Sequence, residues 1–200
     1  MRILIVSQYF WPENFRINDL ASELVKRGHD VSVLTGLPNY PAGKVFETFR
    51  KSPQKYESYH GCQIYRVPIF PRGSGSFRLL LNYVSYVVSA CLIGGVKLRR
   101  AKFDIIFVYE PSPVTVCLPA IFIKAFKKIP IVFWVQDLWP ETLEAIGIVK
   151  SQKLLRLIGV GVRYIYDRCD LILGQSQAFH AGISKYCHDE KKNSLLPELV

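Results

Sequence analysis

Residues 3–35 read ILIVSQYFWPENFRINDLASELVKRGHDVSVLT, and the period of their apolar residues changes twice. Ile3–Ser7 is an unbroken apolar run of strand length. Arg16–Arg27 then sets Ile17, Leu20, Ala21, Leu24 and Val25 on one helical face and Asp19, Glu23, Lys26 and Arg27 on the other. Gly28 stands just past the last turn, where glycine ends helices. Val31–Thr35 returns to the strand pattern. Strand, helix and strand in this order predict a βαβ unit, and with it a parallel sheet.

The alternation resumes further along the chain. Gln63–Pro68, Asp104–Tyr109, Ile131–Val135, Leu171–Leu173 and Ser194–Leu196 read as strands. Val114–Phe126, Ser151–Tyr166 and Ala178–Tyr186 read as helices, Ser151 as an N-cap. In the last long helix Leu154, Leu155, Ile158, Val162, Ile165 and Tyr166 mark one face. The predicted fold is α/β, a doubly wound, mostly parallel sheet in a single domain over residues 1–200. Two stretches break the pattern. Gly36–Gly61 is aperiodic and rich in Pro, Gly, Tyr and Phe, the mark of a functional or mobile segment. Leu79–Val96 holds no charge for 18 residues, which reaches the length of a membrane span. Asn82, Ser85 and Ser89 draw a polar stripe along it, so the favoured reading is a long helix with one buried side and lipid against the other.

Half of the 200 residues are apolar, enough for a core and too many for disorder. The five cysteines form no CxxC pair, which points to a reduced, cytosolic chain rather than a disulfide or zinc scaffold. His180, Cys187 and His188 fit no metal-ligand spacing. The net charge is +10, and Gly36–Lys102 carries +9 of it. Such a localised field suggests an anionic partner, set against the plainer reading of a basic soluble surface. Helix-turn-helix, RRM and KH signatures are missing, so nucleic acid is not the expected partner.

In a doubly wound sheet, ligands bind beyond the carboxyl ends of the strands. That selects Gln8–Arg16, Gly36–Tyr40, Glu110–Thr115, Gln136–Glu141 and Gly174–Gln177. The first turn lacks GxGxxG, which argues against a dinucleotide site. GxxxxGK[ST] and GxSxG are also missing, against P-loop and α/β-hydrolase chemistry. Arg16, near a helix start, suits a phosphate, or it forms a salt bridge with Glu13. Asn39 and Tyr40 offer hydrogen bonds and stacking, or belong to a turn made by Pro38 and Pro41. Asp137 and Glu141 flank Trp139 and Pro140 after the most apolar strand. A carboxylate there can accept a hydroxyl proton or orient a sugar hydroxyl, and Trp139 can stack on a sugar face; the alternative is a helix start at Pro140.

QYFWPE (8–13), RGHDVSVLTGLPNYPAG (27–43), the long basic segment and WVQDLWPE (134–141) together resemble the N-terminal domain of the family 4 (group 1) glycosyltransferases of GT-B fold. The resemblance covers essentially the whole chain and is nearest to L-fucosaminyltransferases of bacterial O-antigen clusters. It implies a Rossmann-like acceptor-binding half facing a cleft. A second half, absent from this sequence, would bind the nucleotide-sugar donor and carry a Glu-x7-Glu motif. It implies retaining transfer, with N-acetyl-L-fucosamine as the candidate sugar, to a sugar on an undecaprenyl diphosphate carrier. No cofactor and no catalytic metal are implied. Relatives often have two glycines after the first strand where this chain has Pro12-Glu13-Asn14.

The resemblance adds weight to Asp137 and to the Pro12–Arg16 turn; with the reading of the turns, Asp137 and Glu141 are the expected catalytic residues, and Glu13, Arg16, Asn39, Tyr40 and Trp139 the expected substrate-binding ones. The charge map adds an anionic inner-membrane surface as partner, at the cytoplasmic face. Arg72, Phe77, Arg78, Lys97, Arg99 and Arg100 are the expected contacts, with Tyr40, Phe46, Phe49, Tyr56 and Tyr59 entering the interface beside them. Leu195–Val200 falls where an interdomain linker should begin, so the chain is expected to be one half of a larger enzyme. The alternative is a non-catalytic membrane-docking subunit of a split glycosyltransferase.

Overall fold

A computed structural model describes residues 1–73 and 75–196. Ser74, within the predicted Pro71–Ser76 loop, and the predicted linker residues Pro197–Val200 lie outside the described residues. The opening unit forms as read: β1 (Arg2–Val6), α1 (Arg16–Lys26) and β2 (Asp30–Gly36), with Gly28 at φ +81° ending the helix. After them come α2 (Glu47–Lys51), β3 (Ser58–Tyr59), β4 (Cys62–Val67) and α3 (Ser76–Ser89). α3 runs through a π turn (Ala90–Gly94) into α4 (Gly95–Lys97) as one helix, Ser76–Lys97. β5 (Ile105–Glu110), α5 (Leu118–Lys127), β6 (Ile131–Val135) and α6 (Glu141–Ala145) follow. α7 (Gln152–Arg168), β7 (Leu171–Gly174), α8 (Gln177–Ser184) and β8 (Asn193–Leu195) complete the described chain.

The strand order is β3-β4-β2-β1-β5-β6-β7-β8, and every pair is parallel except β3–β4. Alternation within the strands splits the core between two faces. Leu4 and Val6 face the helices that hold Tyr86, Ala120, Val162 and Ile183, while Ile3 and Ile5 face Ile17 and Ala21 of α1. The direction of winding changes at β1, which pairs with β2 on one side and β5 on the other.

The long helix shows how the uncharged run is used. Asn82, Tyr86, Ala90, Gly94 and Leu98 recur every fourth residue and are buried. A Cβ at Gly94 would come within 2.9 Å of Leu34, so glycine there lets the helix lie close on β2. Leu80, Val84, Val88, Leu92 and Val96 have the same spacing on the opposite side and stay exposed. The helix is long and apolar enough to cross a membrane. Its polar stripe is nonetheless bound to this domain. Asn82 accepts from Gln8 Nε2 at 2.6 Å and donates to the Phe70 carbonyl at 2.6 Å. Ser85 accepts from the Phe70 amide at 2.9 Å.

Three expectations need correction. Gly36–Gly61 is not wholly irregular: α2, a 3-10 turn (Pro53–Tyr56) and β3 lie within it. They are held by aromatic packing of Tyr56 and Tyr59 on Trp11, a tertiary contact that local periodicity cannot show. Helix formation after β5 begins as a 3-10 turn (Val114–Cys117), and α5 starts only at Leu118. Leu154 is exposed, because the buried face of α7 is centred on Leu155, Val162, Ile165 and Tyr166. All five cysteines are free.

Candidate functional site

A cavity of about 750 Å³ opens beyond the carboxyl ends of the strands, above the β1–β5 junction where the winding reverses. Four of the five selected turns reach it. Tyr9 and Phe15 come from the first, Tyr40 from the second, Pro111 and Ser112 from the third, and Asp137 and Trp139 from the fourth. Arg72, Leu79, Leu80 and Tyr83 form one wall; α6, α7 and the turn between them form the other, with Ile146, Ile148, Val149, Leu154 and Ile158.

The two motifs of the first half of the chain meet behind Arg72. Glu13 is 2% exposed. Its Oε1 accepts from the backbone amides of Asn39 at 2.8 Å and Tyr40 at 2.7 Å, and its Oε2 from Phe10 at 3.3 Å. Burial pushes this carboxyl up to about 7, against the pull of those amides and of Arg66. Asn39, fully buried, in turn accepts from the backbone amide of Arg72 at 2.7 Å and donates to the Leu37 carbonyl at 2.9 Å. Tyr40 lies under the Arg72 guanidinium, 5.5 Å from ring centre to Cζ, and packs on Tyr9 and Phe15. Gly43, at φ +67°, leaves room for residue 72, since a Cβ there would sit 1.6 Å from the Arg72 carbonyl oxygen. Arg66 closes the assembly from behind, donating to the carbonyls of Gly36 at 3.0 Å and of Trp11. Desolvation lowers its pKa to about 10.

On the other side of the junction, Asp137 lines the cavity and accepts from Trp139 Nε1 at 3.1 Å. Behind it Glu110 ends β5 with 0% exposure, and neither carboxylate oxygen has a hydrogen-bond partner of good geometry. Burial, then the charge of Asp137, hold its pKa well above the usual carboxylate range, against the pull of the Gln136 and Asp137 amides. Two residues on, Ser112 has φ +144°, a conformation that glycine favours and that costs a serine about 1–3 kcal/mol. Strain of this kind concentrates at ligand sites. Tyr83, raised by burial, stands beside Arg72 and Ser112. Arg72 and the Asp137 carboxylate thus both lie within electrostatic reach of Tyr83 in the cavity lining.

Residues 14–190 match the glycosyl transferase 4-like domain. The chain belongs to that family. Solved structures share the fold at low identity. HepE from Anabaena, in complex with UDP and glucose, superposes with a TM-score of 0.55 at 15% identity, over 100% of this chain and 45% of its own. CalG4, the calicheamicin glycosyltransferase, gives 0.60 at 14%, over 100% and 53%. The lipopolysaccharide outer core galactosyltransferase WaaB, in its apo form, gives 0.54 at 12%, over 100% and 46%. No curated protein sequence matches the chain. The glycosyl transferase 4-like domain described here is therefore a Rossmann-like half of GT-B type, and it spans about half the length of these structural relatives.

Within this domain the expected residues divide. Asp137, Trp139 and Tyr40 line the cavity together. Glu13 and Asn39 are buried beneath it and act on the loops, not on the open space. Arg16 is exposed at the first position of α1 and is not among the cavity-lining residues. Glu141 points the other way, to Lys185 Nζ at 3.2 Å, and lines a neighbouring groove with Arg156 and Arg163. Of the expected membrane contacts, Arg72 stands in the cavity wall, while Phe77, Arg78, Lys97, Arg99 and Arg100 are exposed along and just beyond the long helix. Phe49 is buried under Arg66 and Tyr56 packs on Trp11, so those rings stabilise the loop. Glu110 and Ser112 fall in the selected Glu110–Thr115 turn but were given no role there, and Tyr83 and the cavity role of Arg72 escaped the sequence reading. Glu110 could have been found as a carboxyl closing an otherwise apolar strand.

Proposed function

We propose that this domain is the acceptor-binding half of a glycosyltransferase. The enzyme moves a sugar from a nucleotide sugar, held by a second Rossmann-like half, to a sugar on undecaprenyl diphosphate in O-antigen synthesis. The motif resemblance supports N-acetyl-L-fucosamine as the candidate sugar and retention as the stereochemical outcome. The observation that carries the reading is the cavity at the winding reversal, with Asp137 and Trp139 in its lining. In this role Asp137 accepts a hydrogen bond from the attacking acceptor hydroxyl and fixes its direction, and Trp139 packs on the acceptor ring.

The domain docks on the cytoplasmic face of the inner membrane. The exposed stripe Leu80, Val84, Val88, Leu92 and Val96 supplies apolar contact, flanked by Arg78 near its start and by Lys97, Arg99 and Arg100 at its end. Each such cation is worth about 1 kcal/mol against an anionic leaflet.

The test is Asp137→Asn in the complete enzyme, assayed for transfer from the nucleotide sugar to the lipid-linked acceptor. Turnover falls by about a hundredfold, the scale of losing one positioned proton acceptor, while the melting temperature is unchanged. Normal turnover in that variant removes Asp137 from the reaction.

A further inference from the structure

We infer that the cavity is the site of the isoprenoid diphosphate portion of the acceptor, and that Arg72 is its phosphate ligand. This rests on the acceptor reading above and adds to it which part of the acceptor the cavity holds and by which door it enters.

The cavity walls are unsuited to a bare sugar. Leu79, Leu80, Ile146, Ile148, Val149 and Ile158 face one another across it. A pyranose ring placed among them would leave hydroxyls without partners, at a cost for each. A branched hydrocarbon loses nothing there and gains from leaving water. The charged groups are few, and the remaining polar lining is hydroxyls and the Trp139 indole. Of the described lining residues Arg72 carries the one positive charge and Asp137 the one negative. The hydroxyls of Tyr9 and Tyr83 stand beside Arg72. A guanidinium with two neighbouring phenols suits a diphosphate. Asp137 then falls on the side where the sugar beyond the diphosphate would lie. The work spent in holding Arg72 fits such a role: Glu13, Asn39, Tyr40 and Gly43 all fix its position.

Residues that line the cavity and yet remain exposed mark its mouth. They are Ser76 and Leu80 from the long helix, and Ile146, Ile148 and Leu154 from the α6–α7 side. Leu80 also begins the outward stripe of the long helix. The apolar surface is therefore continuous from the exposed stripe over Leu80 into the cavity. A carrier can pass sideways from a bilayer into the site while its hydrocarbon stays out of water. The α6–α7 turn becomes a second membrane-facing element, opposite the helix.

The experiment is calorimetric titration of the complete enzyme with farnesyl diphosphate, inorganic diphosphate and farnesol. Farnesyl diphosphate binds at least tenfold more tightly than either of the others. Arg72→Gln weakens farnesyl diphosphate about tenfold and leaves farnesol unchanged. Ile148→Asp, an exposed position whose change spares the fold, weakens farnesyl diphosphate and farnesol and leaves inorganic diphosphate unchanged. Equal affinity for farnesyl diphosphate and inorganic diphosphate, or indifference of both variants, overturns the assignment. Two transfer assays separate this inference from the reading beneath it. Equal transfer to the acceptor sugar on farnesyl diphosphate and on a methyl glycoside keeps the glycosyltransferase and overturns the lipid site. Arg72-dependent binding of farnesyl diphosphate without any transfer supports the lipid site and overturns the acceptor role.

Discussion

Glu13 and Glu110 are both buried acids, and they do different things. Glu13 gathers three backbone amides that have no other acceptor among its contacts, so its side chain is a knot between the QYFWPE and PNYP turns. Glu13→Ala strands those amides and lowers unfolding free energy by about 1–3 kcal/mol or more, read by urea denaturation. The same variant loosens Arg72 and weakens whatever the cavity binds. The Glu110 carboxyl makes no hydrogen bond of good geometry, and burial outweighs the pull of the nearby Gln136 and Asp137 amides and raises its pKa. Its folded pKa lies above the 4.5 of an ordinary glutamate, so its contribution to stability is full below 4.5 and is lost as pH rises from there toward the folded value. Glu110→Gln copies the neutral acid and removes that loss. Urea midpoints of the two proteins are expected to match at pH 4 and to separate in favour of the Gln variant by pH 8; no separation would mean that Glu110 is ionised in the fold.

The long helix carries two apolar stripes with opposite duties, and substitutions can tell them apart. Val88→Asp changes an exposed position, so stability moves by no more than about 0.5 kcal/mol. Binding to anionic vesicles at low salt, measured by sedimentation, is expected to fall sharply. Asn82→Leu acts inward. It removes the partner of Gln8 Nε2, of the Tyr9 hydroxyl and of the Phe70 carbonyl, and costs about 1–3 kcal/mol for each group left buried and unpaired. Its vesicle binding persists wherever the protein is folded. Unchanged vesicle binding by Val88→Asp would take the outer stripe off the membrane.

At the scale of the molecule, the cavity opens beyond the carboxyl ends of the strands at the β1–β5 junction. The chain covers 45% of HepE and 46% of WaaB, and nucleotide-sugar binding is assigned here to the remaining part. The purified 200-residue chain is therefore expected to transfer no sugar from a nucleotide sugar to a lipid-linked acceptor, and to regain transfer with a donor-binding half supplied. Transfer by the chain alone would place donor and acceptor sites in one domain. Vesicle binding by the same chain is expected to weaken steeply as salt rises, because the Debye length shrinks from about 30 Å at 0.01 M to about 3 Å at 1 M.

Periodicity in Ile3–Thr35 and the strands after it sufficed for the α/β class, the parallel sheet and the turns where a ligand belongs, since burial on one or both faces writes itself into apolar spacing. The motifs around Asn39 and Asp137 were equally visible, because turn chemistry is local. What each polar residue does was not. Glu13 and Asn39 look like ligand-binding groups in the sequence, and only their burial shows that they hold other residues in place. Asp137 and Glu141 are one helical turn apart in sequence, but the start of α6 turns Glu141 toward Lys185. Arg72 reads as one cation among eleven in the basic segment, and Glu110 as the first residue of a candidate turn with no role of its own. Their places beside the cavity come from contacts between segments dozens of residues apart, which chain order does not encode and close packing of the folded sheet decides.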